Sequence, residues 1–332
     1  MNYANLGRSN LKVSRICLGT MHFGVYTSKE NAFAIMDKCL ELGINFFDTA
    51  NVYGRENRGR TEEIIGEWFA LGEGRREAVV LATKVYGTMS TRPPVNEQAG
   101  ISSYKIRRHL ADSLRRLQTD HIDLYQVHHV DRTISLEEFW GTFERFINQG
   151  DILYVGSSNF PGWGLVKFQM AAFERGQVGL ISEQTMYNLL CRYPELELLP
   201  AAKDMGIGVI PYMPLAGGLL AGKRTVAKGS RTAQVEDEYG FTIGENQMFE
   251  AFSKLCADLG EKEHIVATAW TLHNEAVTSA IVGVRTLKHL ENIERAVELR
   301  LEPQVIAKLD EIFDINKGRP LRIKPAPEAY AW

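Results

Sequence analysis

Cysteine is scarce and unpatterned in this chain. Cys17, Cys39, Cys191 and Cys256 are the only four in 332 residues, with no CxxC and no zinc-like spacing. That excludes a disulfide framework and points to reduced thiols in a cytoplasmic protein. The opening residues, Met1-Asn2-Tyr3-Ala4-Asn5, hold neither a basic nor an apolar stretch of the secretory kind, so no signal peptide is expected. Long hydrophobic runs are also missing. The nearest, Gly206 to Gly222, is interrupted by Pro211, Pro214 and several glycines, which is unlike a membrane span. Charge of one sign is not in excess. A net −3 at neutral pH provides no global field for nucleic acid or an anionic membrane, so any phosphate-bearing ligand must be held by local donors. HExxH is absent, and His128 and His129, as neighbours on a strand, are expected to face opposite ways and not to share a metal ion. No repeat or low-complexity tract is present.

What the chain does have is ordinary globular composition, 45% hydrophobic and 24% charged, with length for a large core. Residues 3–14 read as a hairpin turning at Gly7 and Asn10. Then short apolar runs alternate with amphipathic stretches. Strands are expected at 15–19, 44–48, 79–84, 122–128, 152–157, 179–184, 207–212 and 278–283. The helix after the first strand opens on a capping box, Thr27 with Glu30, buries a face of Phe33, Met36, Cys39 and Leu40, and ends at Gly43. Thr61 is the expected cap of the second helix, with Glu62 and Glu63 in its first turn. Ile106, Leu110, Leu114 and Leu117 stripe the third, and Ser135 with Glu138 opens the fourth. Further helices are expected at about 163–175, 195–205, 246–259, 264–274, 286–298 and 303–313. Eight strands, each followed by helix, predict a single-domain (β/α)8 TIM barrel over residues 1–332, in preference to an open doubly wound sheet. The N-terminal hairpin and two extra helices complete it. The polar stretch from Lys223 to Glu245 reads either as an excursion over one barrel end or as a disordered surface loop.

In such a barrel the strand C-termini converge on one face, where chemistry resides. Asp48 ends the run Phe46-Phe47-Asp48, with Tyr53 five residues on. Lys84 ends the third strand and His128 the fourth. Each alone has a plain structural explanation, as a turn cap, a strand-end charge, a core histidine or a packing aromatic. Together they suit carbonyl reduction. A phenol titrates near pH 10 in water, and an adjacent ammonium favours its ionised form. Tyr53 would then protonate the oxygen, Asp48 would hold Lys84 charged and oriented, and His128 would hydrogen-bond the carbonyl oxygen.

The motifs resemble those of the aldo-keto reductase family over essentially the whole length. They are Leu6-Gly7-Arg8, Leu18-Gly19-Thr20-Met21, Asn45-Phe46-Phe47-Asp48-Thr49-Ala50 with Tyr53-Gly54, and Ala82-Thr83-Lys84. Beyond these come Asp123-Leu124-Tyr125-Gln126-Val127-His128, Val155-Gly156-Ser157-Ser158-Asn159-Phe160, Glu183-Gln184 and Pro214-Leu215. The resemblance implies Asp48, Tyr53, Lys84 and His128 as a catalytic tetrad and NADPH as cofactor. No GxGxxG between strand and helix and no Tyr-xxx-Lys pair supports a Rossmann alternative. The implied cofactor residues begin with Gly19, Thr20, Met21 and Asp48. Ser158, Asn159 and Gln184 would hold the carboxamide, and Tyr212 would stack on the nicotinamide. Pro214, Leu215, Gly217, Leu219, Gly222 and Lys223 would wrap the pyrophosphate, where glycines let backbone N–H groups approach an anion. Gly283 and Arg285 would meet a 2′-phosphate, with His289, Glu291 and Asn292 nearby. Two departures stand out. The segment after Gly283 is one residue short of the usual pattern, and His129 stands where many relatives carry Arg.

Tyr26, Asn51, Tyr86 and His129, with Phe23, are the candidate substrate contacts. The strand-end texture also resembles a bacterial subgroup that includes NDP-hexose reductases of deoxysugar biosynthesis, and that similarity implies a small-molecule carbonyl substrate such as a nucleotide sugar. A general aldehyde reductase and a cofactor-binding regulatory subunit of the potassium-channel β kind are the alternatives. Nucleic acid, membrane and metal are not expected as partners, and homo-oligomerisation stays open.

Overall fold

A computed structural model describes residues 1–222 and 247–314. The expectations for Lys223 and for the stretch up to Glu245 therefore lie outside the described residues. A two-stranded antiparallel hairpin, β1 (Tyr3–Asn5) and β2 (Lys12–Ser14), precedes the main sheet. The sheet has eight parallel strands: β3 (Ile16–Gly19), β4 (Phe46–Asp48), β5 (Val80–Val85), β6 (Ile122–Val127), β7 (Ile152–Ser158), β8 (Leu180–Gln184), β9 (Gly208–Val209) and β10 (Ala280–Gly283). Their order in space is β10-β3-β4-β5-β6-β7-β8-β9. The two ends of that list meet. Val209 N–H donates to Ala276 O (2.9 Å), Thr278 N–H to Val209 O (2.8 Å) and Ile281 N–H to Pro211 O (2.9 Å). The sheet thus closes into the expected (β/α)8 barrel, which leaves no free edge.

Two apolar clusters follow from the two faces of the strands. Cys17, Phe46, Ala82, Leu124, Ile181, Ile210 and Ile281 pack with Leu6 and Val13 of the hairpin. The hairpin closes the N-terminal end so tightly that a Cβ on Gly7 would sit 2.3 Å from Ile181 O. The second, larger cluster joins the other strand face to the helices, with Phe47, Trp68, Phe139, Trp140 and Phe143 among its members. Two residues along from Phe46, Ala82 and Leu124, and therefore on the same face, come Asp48, Lys84 and Gln126. The polar floor of the site is the next layer of the barrel interior.

Several local expectations need correcting. The helix Lys29–Glu41 is capped by Ser28, whose side chain accepts from Asn31 N–H. Thr27 instead turns its hydroxyl to Arg285 O (3.2 Å), so the N-cap lies one residue later than expected. Thr61 is inside its helix, Arg60–Phe69, which starts after a left-handed Gly59 with no side-chain cap; the Thr61 hydroxyl donates to Phe23 O (3.0 Å). The strand expected over 207–212 is regular only at Gly208–Val209. Pro211 has no N–H to give, yet Ile210 N–H and Tyr212 N–H still reach Glu183 O and Thr185 O, each at 2.9 Å. The helix expected over 286–298 is a 3-10 turn, Leu287–Leu290, then Ile293–Glu298 restarting from a left-handed Asn292 (φ 60°).

Candidate active site

Strand C-termini deliver the floor. Asp48, Lys84, Gln126 and Gln184 are all buried, so their polar atoms must find partners inside the protein. Lys84 Nζ donates to Asp48 Oδ2 (2.6 Å), to Thr49 O (2.8 Å) and to Tyr53 OH (3.2 Å). These use all three ammonium hydrogens. The other Asp48 oxygen accepts from Gln126 Nε2 (3.0 Å) and Gln184 Nε2 (2.9 Å). Gln126 is a site residue that the sequence reading passed over. Its placement two residues before His128 on an inward strand face was the available signal. Gln184, expected to hold a carboxamide, spends its amide hydrogens on Asp48 and on Gln126 Oε1 (3.3 Å).

Tyr53 comes from the turn after β4. Tyr53 N–H donates to Ala50 O (3.1 Å), and Gly59 N–H returns to Tyr53 O (2.9 Å). Gly54 has φ 115°, and a Cβ there would lie 2.2 Å from Asn57 O, so glycine is required where the chain reverses. The Tyr53 ring meets His128 edge-on, with centroids 6.1 Å apart.

Electrostatics divide these groups. Burial pushes the Tyr53 phenol up, Lys84 pulls it down, and the net direction is upward. The expectation that the ammonium alone sets the phenol is therefore incomplete, because desolvation outweighs it. Burial lowers the Lys84 ammonium, but Asp48 and Tyr53 together more than offset it and hold the lysine charged. Burial, then Lys84 and His129, takes His128 well below the usual imidazole range. His129 is lowered to about 4 by burial and Lys84. Both imidazoles are neutral at pH 7. Their rings stack at 4.8 Å with 7° between planes, contrary to the expectation of opposite faces. Regular β6 ends at Val127, and the bend beyond it releases the two side chains from strand alternation. Among the described residues no group of three or more His, Cys, Asp or Glu is placed to hold a metal ion.

Above this floor lies a cavity of about 1110 Å³, larger than the roughly 300–1,000 Å³ of a drug-sized site. Asp48, Tyr53, His128 and His129 line one end. Gly19, Thr20, Met21, Ser158, Asn159, Gln184 and Tyr212 also line the cavity. Pro214, Leu215, Gly217, Gly222, Gly283, Arg285, His289 and Glu291 continue to the far end. Lys84 lies beneath, fully buried; Leu219 is buried in the core, and neither it nor Asn292 lines the cavity. The wall also includes His22, Met213, Gly218, Ser253, Cys256, Lys262, Glu263, His264 and Lys288. Those on helix starts after 247 carried no motif, so the sequence reading did not find them.

Part of the wall is pinned. Asn159, at φ 57°, donates from Nδ2 to His128 O (3.0 Å) and Ser158 Oγ (3.0 Å), and accepts the Tyr212 hydroxyl at Oδ1 (2.9 Å). Behind it, Glu183 accepts from Ser157 Oγ (2.5 Å) and Phe160 N–H (3.1 Å), and burial raises its carboxyl to about 8. Leu215 to Gly222 form an irregular turn with Gly217, Gly218 and Gly222 at φ 68°, 111° and 75°. Gly218 and Leu220 N–H are taken by Leu215 O within the turn (2.9 and 3.2 Å), while the glycines let the backbone approach a ligand closely. Around this turn the cavity is lined by Lys262, Arg285 and Lys288 and also by Glu261, Glu263 and Glu291, so a phosphate would be met by individual cations and not by a net positive wall.

Of the candidate substrate contacts, only His129 lines the cavity. Asn51 is fully buried, paired through Nδ2 with His109 Nδ1 (2.9 Å), and Phe23 is in the core. Tyr86 stands behind His129, rings edge-on at 5.1 Å. Tyr26 does not line the cavity and stands beside Arg55 and Arg285.

Comparison with known proteins agrees with this geometry. Residues 15–314 match the model of the aldo/keto reductase family. An uncharacterized oxidoreductase of Bacillus subtilis, YrpG, is 51% identical over all of both chains. A putative aryl-alcohol dehydrogenase of Schizosaccharomyces pombe is 31% identical, covering 94% of this chain and 95% of its own. An aryl-alcohol dehydrogenase [NADP(+)] of Phanerodontia chrysosporium is 30% identical, covering 93% and 85%. The chain is an oxidoreductase belonging to the aldo/keto reductase family.

Proposed function

We propose that the protein reduces an aldehyde or ketone to the alcohol with NADPH, Tyr53 being the general acid. The observation that carries the reading is the Tyr53 hydroxyl 3.2 Å from a buried Lys84 ammonium, at the floor of a cavity that Arg285 also lines. A nicotinamide bound through Ser158, Asn159 and Tyr212 would supply hydride to the carbonyl carbon. As charge grows on the carbonyl oxygen, Tyr53 passes it the phenolic proton, and Lys84 stabilises the phenolate left behind. Asp48, fixed by Gln126 and Gln184, keeps that ammonium charged and aimed. Neutral His128 donates an N–H to the same oxygen without competing with Tyr53 as the proton source.

Arg285 supports NADPH over NADH. It is half-buried, lines the cavity and, among the described residues, pairs with no carboxylate. A guanidinium so placed matches a phosphate monoester. The relative whose name includes NADP(+) favours the same cofactor.

For the substrate we favour a flat, uncharged aromatic carbonyl. The stacked, neutral His128 and His129 present an uncharged planar wall beside the Tyr53 edge, and two of the relatives are named for aryl alcohols. The keto nucleotide sugar suggested by strand-end texture would bring a second diphosphate, and none of the relatives above is named for such a substrate. Oxidation of NADPH and of NADH should be followed with benzaldehydes, short aliphatic aldehydes and an NDP-4-keto-6-deoxysugar. Faster NADPH turnover on the aromatic aldehydes is expected. Turnover of the keto sugar alone would replace the substrate class. Tight NADPH binding with no turnover of any carbonyl would favour the regulatory-subunit reading.

A further inference from the structure

Arg285 does not stand by itself. Its guanidinium carbon lies 5.2 Å from the centroid of the Tyr26 ring, and that of Arg55 lies 4.9 Å from the same centroid. Arg55 also hydrogen-bonds the Tyr26 hydroxyl. Tyr26 is 47% exposed, so core packing does not account for its position. Its backbone is nonetheless fixed: Val25, Tyr26 and Thr27 all donate N–H to His22 O, at 3.2, 2.9 and 3.0 Å. Thr27 then ties this turn to the Arg285 carbonyl, while Arg285 N–H donates to His289 Nδ1 (3.2 Å). On the other side, Arg55 follows Tyr53 by two residues and is held at φ 54°, an uncommon backbone state for a residue with a side chain.

We propose that Tyr26 is a specificity-determining positioning residue: its ring, held by Arg55, aims the Arg285 guanidinium at the cofactor's phosphate monoester. The proposal rests on the NADPH reading above and deepens it. A long guanidinium side chain loses rotamer freedom when it binds an anion. A ring that already holds it at the cavity wall removes part of that cost before the ligand arrives. The π face attracts each cation, and the two guanidiniums share one ring. An anion that pairs with Arg285 relieves the repulsion between them, so the arrangement favours a cofactor with the extra phosphate over one without it. The same chain of contacts joins the phosphate end of the cavity to the turn that bears Tyr53.

The test is direct binding of NADPH and NADH to the full-length protein, by cofactor fluorescence, for wild type, Tyr26→Ala, Tyr26→Phe, Arg285→Ala and the double variant Tyr26→Ala/Arg285→Ala. An exposed cation–π contact corresponds to about a two- to fivefold change in affinity. Tyr26→Ala is expected to weaken NADPH by that factor and to leave NADH alone, Tyr26→Phe to retain most of the NADPH preference, and the double variant to be no worse than Arg285→Ala. If Arg285→Ala is NADPH-selective but Tyr26→Ala weakens both cofactors equally, or the two changes add fully, Tyr26 does not act through Arg285 and the inference fails while the cofactor reading stands. If Arg285→Ala fails to discriminate between the cofactors, both fall.

Discussion

The two ends of the cavity are built on opposite physical plans. At the Tyr53 end, Lys84 and Asp48 are 0% and 3% exposed, and each charge is satisfied by several partners. At the far end, Lys262, Lys288 and His289 are exposed, and Arg285 leans on an aromatic ring. On the proposed reading, the first end would have to place a proton donor closely and keep an ammonium charged. The second would have to accept and release an anionic cofactor, for which exposed cations suffice. Burial and hydrogen bonding are concentrated at the Tyr53 end, and solvent exposure at the other.

Substitutions can break that contrast. The largest effect is expected at the floor. Lys84→Met leaves the Asp48 carboxylate buried without its cation, a loss of about 3–5 kcal/mol, whereas Lys288→Ala at the exposed end should stay within about 0.5 kcal/mol. Denaturant midpoints of the two variants compare the ends directly, and equal shifts would erase the distinction. Next comes the carboxyl behind the wall. Glu183 is raised from 4.5 to about 8 in the fold, so the native state holds its proton where the unfolded chain releases it. Its stabilising contribution is complete below pH 4.5 and is lost as pH rises through about 8, with a slope of up to about 1.4 kcal/mol per pH unit. Glu183→Gln should flatten the stability–pH curve in that window; an unchanged slope would assign the loss to other groups. Arg285→Ala is expected to have the smallest effect on the fold and a selective one on binding. Removing a hydrogen bond to a charged group costs about 1.5–3 kcal/mol, or about ten- to a hundredfold in affinity for NADPH. NADH should be nearly unaffected, and equal losses would remove Arg285 from the 2′-phosphate.

The same contrast explains what could be read from the sequence. Asp48 and Lys84 fall on inward strand faces, where a period of two and an abrupt end to an apolar run mark the position of each side chain; Gln126, inside its strand, has only the period of two and is passed over. The barrel was legible for the same reason. His128 and His129 were misjudged because strand alternation stops at Val127 while the sequence shows no punctuation there. Asn51 was read as a pocket residue because a polar side chain on a strand-end loop resembles a ligand contact. Its burial against His109, 58 residues away, is a tertiary fact. The far end was the least legible, since Lys262, His264 and Lys288 lie on helix starts and turns whose residues have no fixed spacing from the strands. Tyr26 on its loop resembles a substrate contact, and the two arginines that meet its ring, Arg55 and Arg285, are not its neighbours in sequence.

The most direct test of the central claim is Tyr53→Phe, measured for carbonyl turnover and NADPH affinity in the same preparation. The account predicts a loss of about 10²–10⁴ in turnover, the usual range for removing a general acid, with NADPH binding nearly unchanged because the phosphate end is untouched. Turnover within about tenfold of wild type would show that the proton comes from elsewhere, and would contradict the assignment of Tyr53 as the acid.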